Sequence, residues 1–104
     1  MEYIVVFCTT PDAQVAEDIA RTIVEEGFAG CVNIVPSVRS FYTWEGRLQE
    51  DSEALMIIKT KKKLFQSLER RIKDLHPYSV PEIISLDISE GSKDYLDWLG
   101  SVTY

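Results

Sequence analysis

Residues 31–60 read CVNIVPSVRSFYTWEGRLQEDSEALMIIKT, and how this stretch folds decides the architecture of the rest. From Cys31 to Trp44 apolar residues recur with period two, with Val32, Ile34, Val38, Tyr42 and Trp44 assigned to one face. Pro36 cannot donate to a strand ladder, so a bulge is expected there. Glu45-Gly46-Arg47 has turn chemistry, and alternation resumes from Arg47 to Lys59 with Leu48, Ala54, Met56 and Ile58 together. The stretch is therefore a β-hairpin. Fourteen strand residues span about 46 Å, whereas a globule of this size is roughly 33 Å across, so the hairpin must project. Its outer half carries Phe41, Tyr42, Trp44 and Leu48, and an apolar ribbon with open edges invites pairing with another chain. An oligomer whose subunits exchange these arms is expected. Phe41, Tyr42 and Trp44 are read as interface anchors in preference to a ligand wall.

Working outward, residues 3–9, YIVVFCT, are apolar on both alternating faces and predict a central strand. Thr10 as N-cap and Pro11 as first helical residue open a helix whose stripe of Ala16, Ile19, Ala20, Ile23 and Val24 runs to Gly27. After the hairpin, Thr60 is expected to cap a helix over 61–76 with Leu64, Phe65, Leu68, Ile72 and Leu75 on one side, ended by Pro77. EIISLDIS (82–89) alternates as a strand, and Tyr95, Trp98 and Leu99 fall at helical spacing behind Ser92. The order β-α-β-β-α-β followed by a helix gives the α+β class. It predicts a ferredoxin-like sandwich with an extended central hairpin and a C-terminal helix, one domain over residues 1–104.

Composition bounds the function. A formal net charge of −6 opposes nucleic-acid backbones. The apolar runs YIVVFC and ALMII fall far short of the roughly 20 residues that span a bilayer. A cytoplasmic location is expected. Cys8 and Cys31 are read as free thiols, Cys8 in the core and Cys31 the more accessible.

The stretch LHPYSVPEII, 75–84, contains the single histidine. Either His76 only terminates a helix, or Pro77 and Pro81 stiffen a cleft where His76, Tyr78 and Glu82 meet a ligand. Two distant thiols and one imidazole do not make a structural zinc site; Cys31, the better thiol, and His76 are the candidate donors to a Cu(I) or divalent site shared by subunits. KTKKK, 59–63, puts lysines at the start of the predicted helix, where Lys59 and its neighbours with free backbone amides would suit an anion. No nucleophile elbow, HExxH or defined base partner points to catalysis.

The chain resembles the CutA divalent-cation tolerance family in CTTPD (8–12), GCVNIVP (30–36), SFYTWEG (40–46), IIKT (57–60), HPYSVPEII (76–84) and YLDWL (95–99), in order along nearly its whole length. The resemblance implies a homotrimer joined by long hairpins, with a plan similar to the PII signalling proteins and ligand clefts near the subunit interfaces. It also implies a link to metal tolerance, with copper bound by some members, and no agreed reaction. The expectation is a non-enzymatic cytosolic homotrimer acting in divalent-ion tolerance or signalling, with no required cofactor and with copper, another divalent cation or a small molecule as ligand. Lys59, Tyr78 and Glu82 are the expected cleft residues. The alternatives are a PII-like module for a small anion or nucleotide, and an enzyme of unknown reaction at the His76 cleft.

Overall fold

In the computed structural model, which describes residues 1–104, the central strand is β1 (Tyr3–Thr10). It pairs antiparallel with β3 (Arg47–Lys61), from Tyr3 opposite Lys61 to Thr10 opposite Ala54. On its other edge β4 (Ile84–Asp87) places Ile84 opposite Phe7 and Asp87 opposite Ile4. With β2 (Cys31–Trp44) on the far side of β3, the sheet order is β2-β3-β1-β4. Helices α1 (Ala13–Glu25) and α2 (Phe65–Leu75) pack on one face. There Ile4, Val6 and Cys8 meet Met56, Ile58, Ile19, Ile23, Leu68 and Ile72, all essentially inaccessible to solvent. Each such side chain contributes about 1.5–3 kcal/mol through removal from water. The result is the ferredoxin-like sandwich that the element order predicts.

The opposite face explains why β1 is apolar on both sides. Val5, Phe7, Leu55 and Ile57 lie there half-buried, beside Ile84 and Leu86, which are 55% and 59% exposed. Only its end near Tyr3 and Lys61 is covered, by α3 (Lys93–Ser101). Leu99 of that helix fits against Gly30, where a Cβ would stand 2.4 Å from Leu99 Cδ1. The buried Lys61 ammonium donates to the backbone oxygens of Thr103 (3.1 Å) and Tyr104 (2.6 Å), tying the tail to the strand.

The hairpin turns through Glu45 and Gly46, both in the left-handed region (φ 53° and 74°), as a two-residue turn matched to strand twist requires. Glycine serves the second position without strain. Between Val35 opposite Leu55 and Val38 opposite Glu53, β2 advances three residues while β3 advances two. The bulge therefore falls at Pro36-Ser37, and the extra residue reverses the facing of everything beyond it. Val32 and Ile34 share the helix side with Met56 and Ile58, while Val38, Tyr42 and Trp44 turn to the Glu53 side. The single face assigned to all five from sequence is thus corrected. Overall dimensions of 44 × 25 × 23 Å and a radius of gyration of 14.1 Å match a projecting arm, since a rounder chain of this length would have about 13 Å.

Several boundaries also differ. Asp12, not Thr10, caps α1, its Oδ1 accepting from Val15 N–H at 2.9 Å. Thr10 is still in β1, and its hydroxyl donates to Asp12 O. Thr60 is buried in β3, donating to Phe28 O at 2.7 Å, because pairing with Ile4 outcompetes helix capping. A 3-10 turn over Lys62–Leu64 follows, so the lysines precede α2 and do not occupy its first turn. Strand β4 keeps only four of the eight residues expected.

Candidate functional site

Where α2 ends, His76 turns to an extended backbone and its ring is buried against the end of β1. Nε2 lies 2.7 Å from the Thr9 carbonyl oxygen. A carbonyl can only accept, so Nε2 carries the proton and donates it. Nδ1 then accepts from Tyr78 N–H at 3.1 Å. Both nitrogens are engaged in the neutral ring, which locks the tautomer and ties the loop to the sheet. The Tyr78 ring packs at 4.8 Å from the imidazole.

From that position the Tyr78 hydroxyl donates to Glu53 Oε2 at 2.9 Å. Glu53 is only 8% exposed, and Tyr78 is held above the usual phenol range by burial first and by this carboxylate second. Glu82 enters from the far end of the loop. Partial burial of its carboxyl, and then the charge of Glu53, raise its pKa. Across from them the Tyr42 hydroxyl donates to Asp51, the main cause of its own raised pKa. Between hairpin and loop runs a groove of about 780 Å³, lined by Tyr42, Trp44 and Tyr78, with Phe41 at its rim, and by Glu53 and Glu82. That volume suits a small organic ligand. Two carboxylates of unequal surroundings, one hydrogen-bonded and one raised, can bind a cation or hold a proton between them.

The other candidates lie elsewhere. Cys31 is half-buried, its Sγ 3.9 Å from Lys59 Nζ, and Lys59 also donates to Asn33. Cys31 pairs with Lys59, which pairs with Val5, whereas His76 touches Thr9. The four residue steps of β1 from Val5 to Thr9 put about 13 Å along the sheet between the two proposed metal donors, besides the lateral strand spacings. Within one chain they cannot share an ion, and no three His, Cys, Asp or Glu side chains gather in a metal-holding arrangement. The lysines at 59–63 are dispersed too, Lys61 on the tail carbonyls and Lys62 on Asp87 and Glu2. No cradle for an anion forms there.

Glu53, which lines the groove, and Asp51, which accepts from the Tyr42 hydroxyl beside it, are not singled out as site residues by the sequence. The available signal was the bulge at Pro36, which turns Tyr42 and Glu53 to the same side. Cys8 lies directly behind the site, fully buried, its thiol pushed up to about 12 by burial and then by Glu82 and Glu53. A thiol reagent added to native protein is therefore expected to modify Cys31 well before Cys8, which reacts only on unfolding. Mass mapping after a timed pulse checks this, and equal rates would contradict the burial of Cys8.

The family model described as CutA1 divalent ion tolerance protein matches residues 4–102. A divalent-cation tolerance protein CutA of Thermus thermophilus is 52% identical over 95 residues, covering 91% of this chain and 92% of that protein. The chloroplastic protein CutA of Arabidopsis thaliana is 47% identical over 96% of this chain, which spans 55% of its length. Among solved structures, CutA1 from Oryza sativa superposes with a TM-score of 0.98 at 43% identity, covering 100% of this chain and 95% of that one. The Thermus thermophilus structure gives 0.96 at 49%, covering 98% and 99%.

Proposed function

Because this chain belongs to the CutA1 divalent ion tolerance protein family, we propose that it serves ion tolerance as a homotrimer that binds a ligand in the hairpin groove and catalyses no reaction. The observation that carries this reading is the pairing of Glu53 and Glu82 beside Tyr78 in an aromatic-walled groove at the root of an arm too long for one chain. Binding is favoured over catalysis because the one imidazole, the ordinary acid–base group near neutral pH, has both nitrogens committed to backbone. Copper or another divalent ion would need donors from more than one copy, with Cys31 as the soft one. The open sheet face and the apolar arm supply surface for assembly. No helix is long and apolar enough to cross a membrane. The cytoplasm remains the proposed compartment.

The test has two parts. Light scattering is expected to give the mass of three chains. A thermal-shift screen against copper, zinc, phosphate, nucleotides and small amines is expected to find a stabiliser whose effect disappears in Glu82→Gln. A stabiliser that acts equally on both proteins, or none at all, would count against the groove.

Glu82→Gln carries its own pH signature. A carboxyl whose pKa is raised by folding favours the native state in its protonated form, so its contribution is full below the unfolded carboxyl range and is lost as pH rises through the folded pKa. The ligand-free variant is therefore expected to melt above the wild type near neutral pH, with the difference closing in acid. Melting curves from about pH 3.5 to 8 would show it, and a variant less stable at neutral pH would refute the crowding of Glu82 by Glu53.

A further inference from the structure

We infer that the groove recognises a guanidinium group carried on a short stem, in preference to a bare metal ion or an anion. The inference rests on the reading of the groove as the ligand site and names what fills it. Glu53 commits one oxygen to the Tyr78 hydroxyl, and its other oxygen has no partner within the chain, though it is not sealed from solvent. Glu82 faces the same space, so two acceptors await N–H donors. Tyr42 and Trp44 stand on the Glu53 side of the hairpin and Tyr78 reaches Glu53 from the loop, so three aromatic residues line the space with them. A planar cation with several N–H groups uses both features, since its edge pairs with carboxylates while its face lies on a ring.

The chain already shows this pairing at the groove rim. The Arg39 guanidinium sits 5.3 Å from the centre of the Phe41 ring while it is ion-paired to Glu50. Arg39, the one cation lining the groove, already has a carboxylate partner, whereas Glu53 and Glu82 have no cationic partner there. A hard divalent ion would want six or more oxygens converging at about 2.0–2.6 Å and would make no use of aromatic walls. The groove offers two carboxylates, one already hydrogen-bonded, and gathers no metal-holding group. Its roughly 780 Å³ exceeds what a guanidinium head fills, which leaves room for a stem.

Isothermal titration of the native assembly with argininamide near neutral pH tests the inference, using citrullinamide as the neutral isostere. Argininamide is expected to bind at least tenfold more tightly than citrullinamide, to weaken about tenfold in Glu82→Gln, and to weaken several-fold in Trp44→Leu at a protein concentration where light scattering shows the variant assembled as the wild type is. Acetyl-glycyl-arginyl-glycinamide distinguishes the source: equal affinity indicates that the groove accepts an arginine side chain of a peptide, and selective binding of argininamide indicates a free small molecule. Equal binding of argininamide and citrullinamide, or binding untouched by both substitutions, overturns the proposal. If zinc or copper binds with dependence on Glu82 and argininamide does not, guanidinium recognition is wrong while the groove stands. If nothing binds with dependence on Glu82, both readings fall together.

Discussion

His76→Ala is expected to lower the unfolding free energy by about 3 kcal/mol and to release the loop from the sheet. The imidazole is 7% exposed and bridges Thr9 O to Tyr78 N–H, so its removal leaves a carbonyl and an amide without their partner at a site that excludes much of the solvent. An unsatisfied buried group costs about 1–3 kcal/mol, and the lost ring leaves space beside Tyr78. Were the histidine only a helix terminator, the cost would be about 1 kcal/mol or less through the helix dipole. Urea denaturation separates the two, and a loss under 1 kcal/mol would reject the bridging role. The change also bears on the groove, because the imidazole holds the backbone of Tyr78, whose hydroxyl donates to Glu53. His76→Asn is expected to fall between, since an amide is too short to span both contacts.

That dual role was half legible in the sequence. Two prolines following a lone histidine mark 75–84 as a stiff connection, and Tyr78 and Glu82 do line one groove. The partner they share, Glu53, was hidden because strand alternation assigns a residue to a face only until a bulge intervenes. One extra residue at Pro36-Ser37 carried Tyr42 and Trp44 to the side opposite Val32 and Ile34. Local signals also lost to pairing. Thr60 has the chemistry of a cap, but eight consecutive residue pairs between β1 and β3 extend that strand to Lys61 and move the helix start to Phe65. The length of the hairpin was legible because it follows from residue rise alone. Chemical type alone groups Cys31 with His76 as a metal donor and Lys59 with the cleft, whereas the register places both Cys31 and Lys59 beside Val5, toward the α3 end of the sheet.

The same register identifies where assembly is expected to be most vulnerable. Ile84 and Leu86 stand opposite Phe7 and Val5 on the sheet face that no helix covers over most of its area, beside Leu55 and Ile57. At 55% and 59% exposed, they contribute little to the core of a single chain. Replacing both with lysine should therefore leave the monomer's fold intact, and circular dichroism would verify that. In a trimer packed through this face the two ammonium groups would be desolvated without acceptors, at a cost of several kcal/mol each. Association is then expected to weaken at least 100-fold, or about 2.7 kcal/mol, so that light scattering at micromolar concentration reads one chain in the variant and three in the wild type. Trp44→Ala, which loosens only the arm, should weaken assembly less. A variant that stays trimeric with both lysines in place would mean that the copies meet through the hairpins alone, and the apolar side of β1 would then need another explanation.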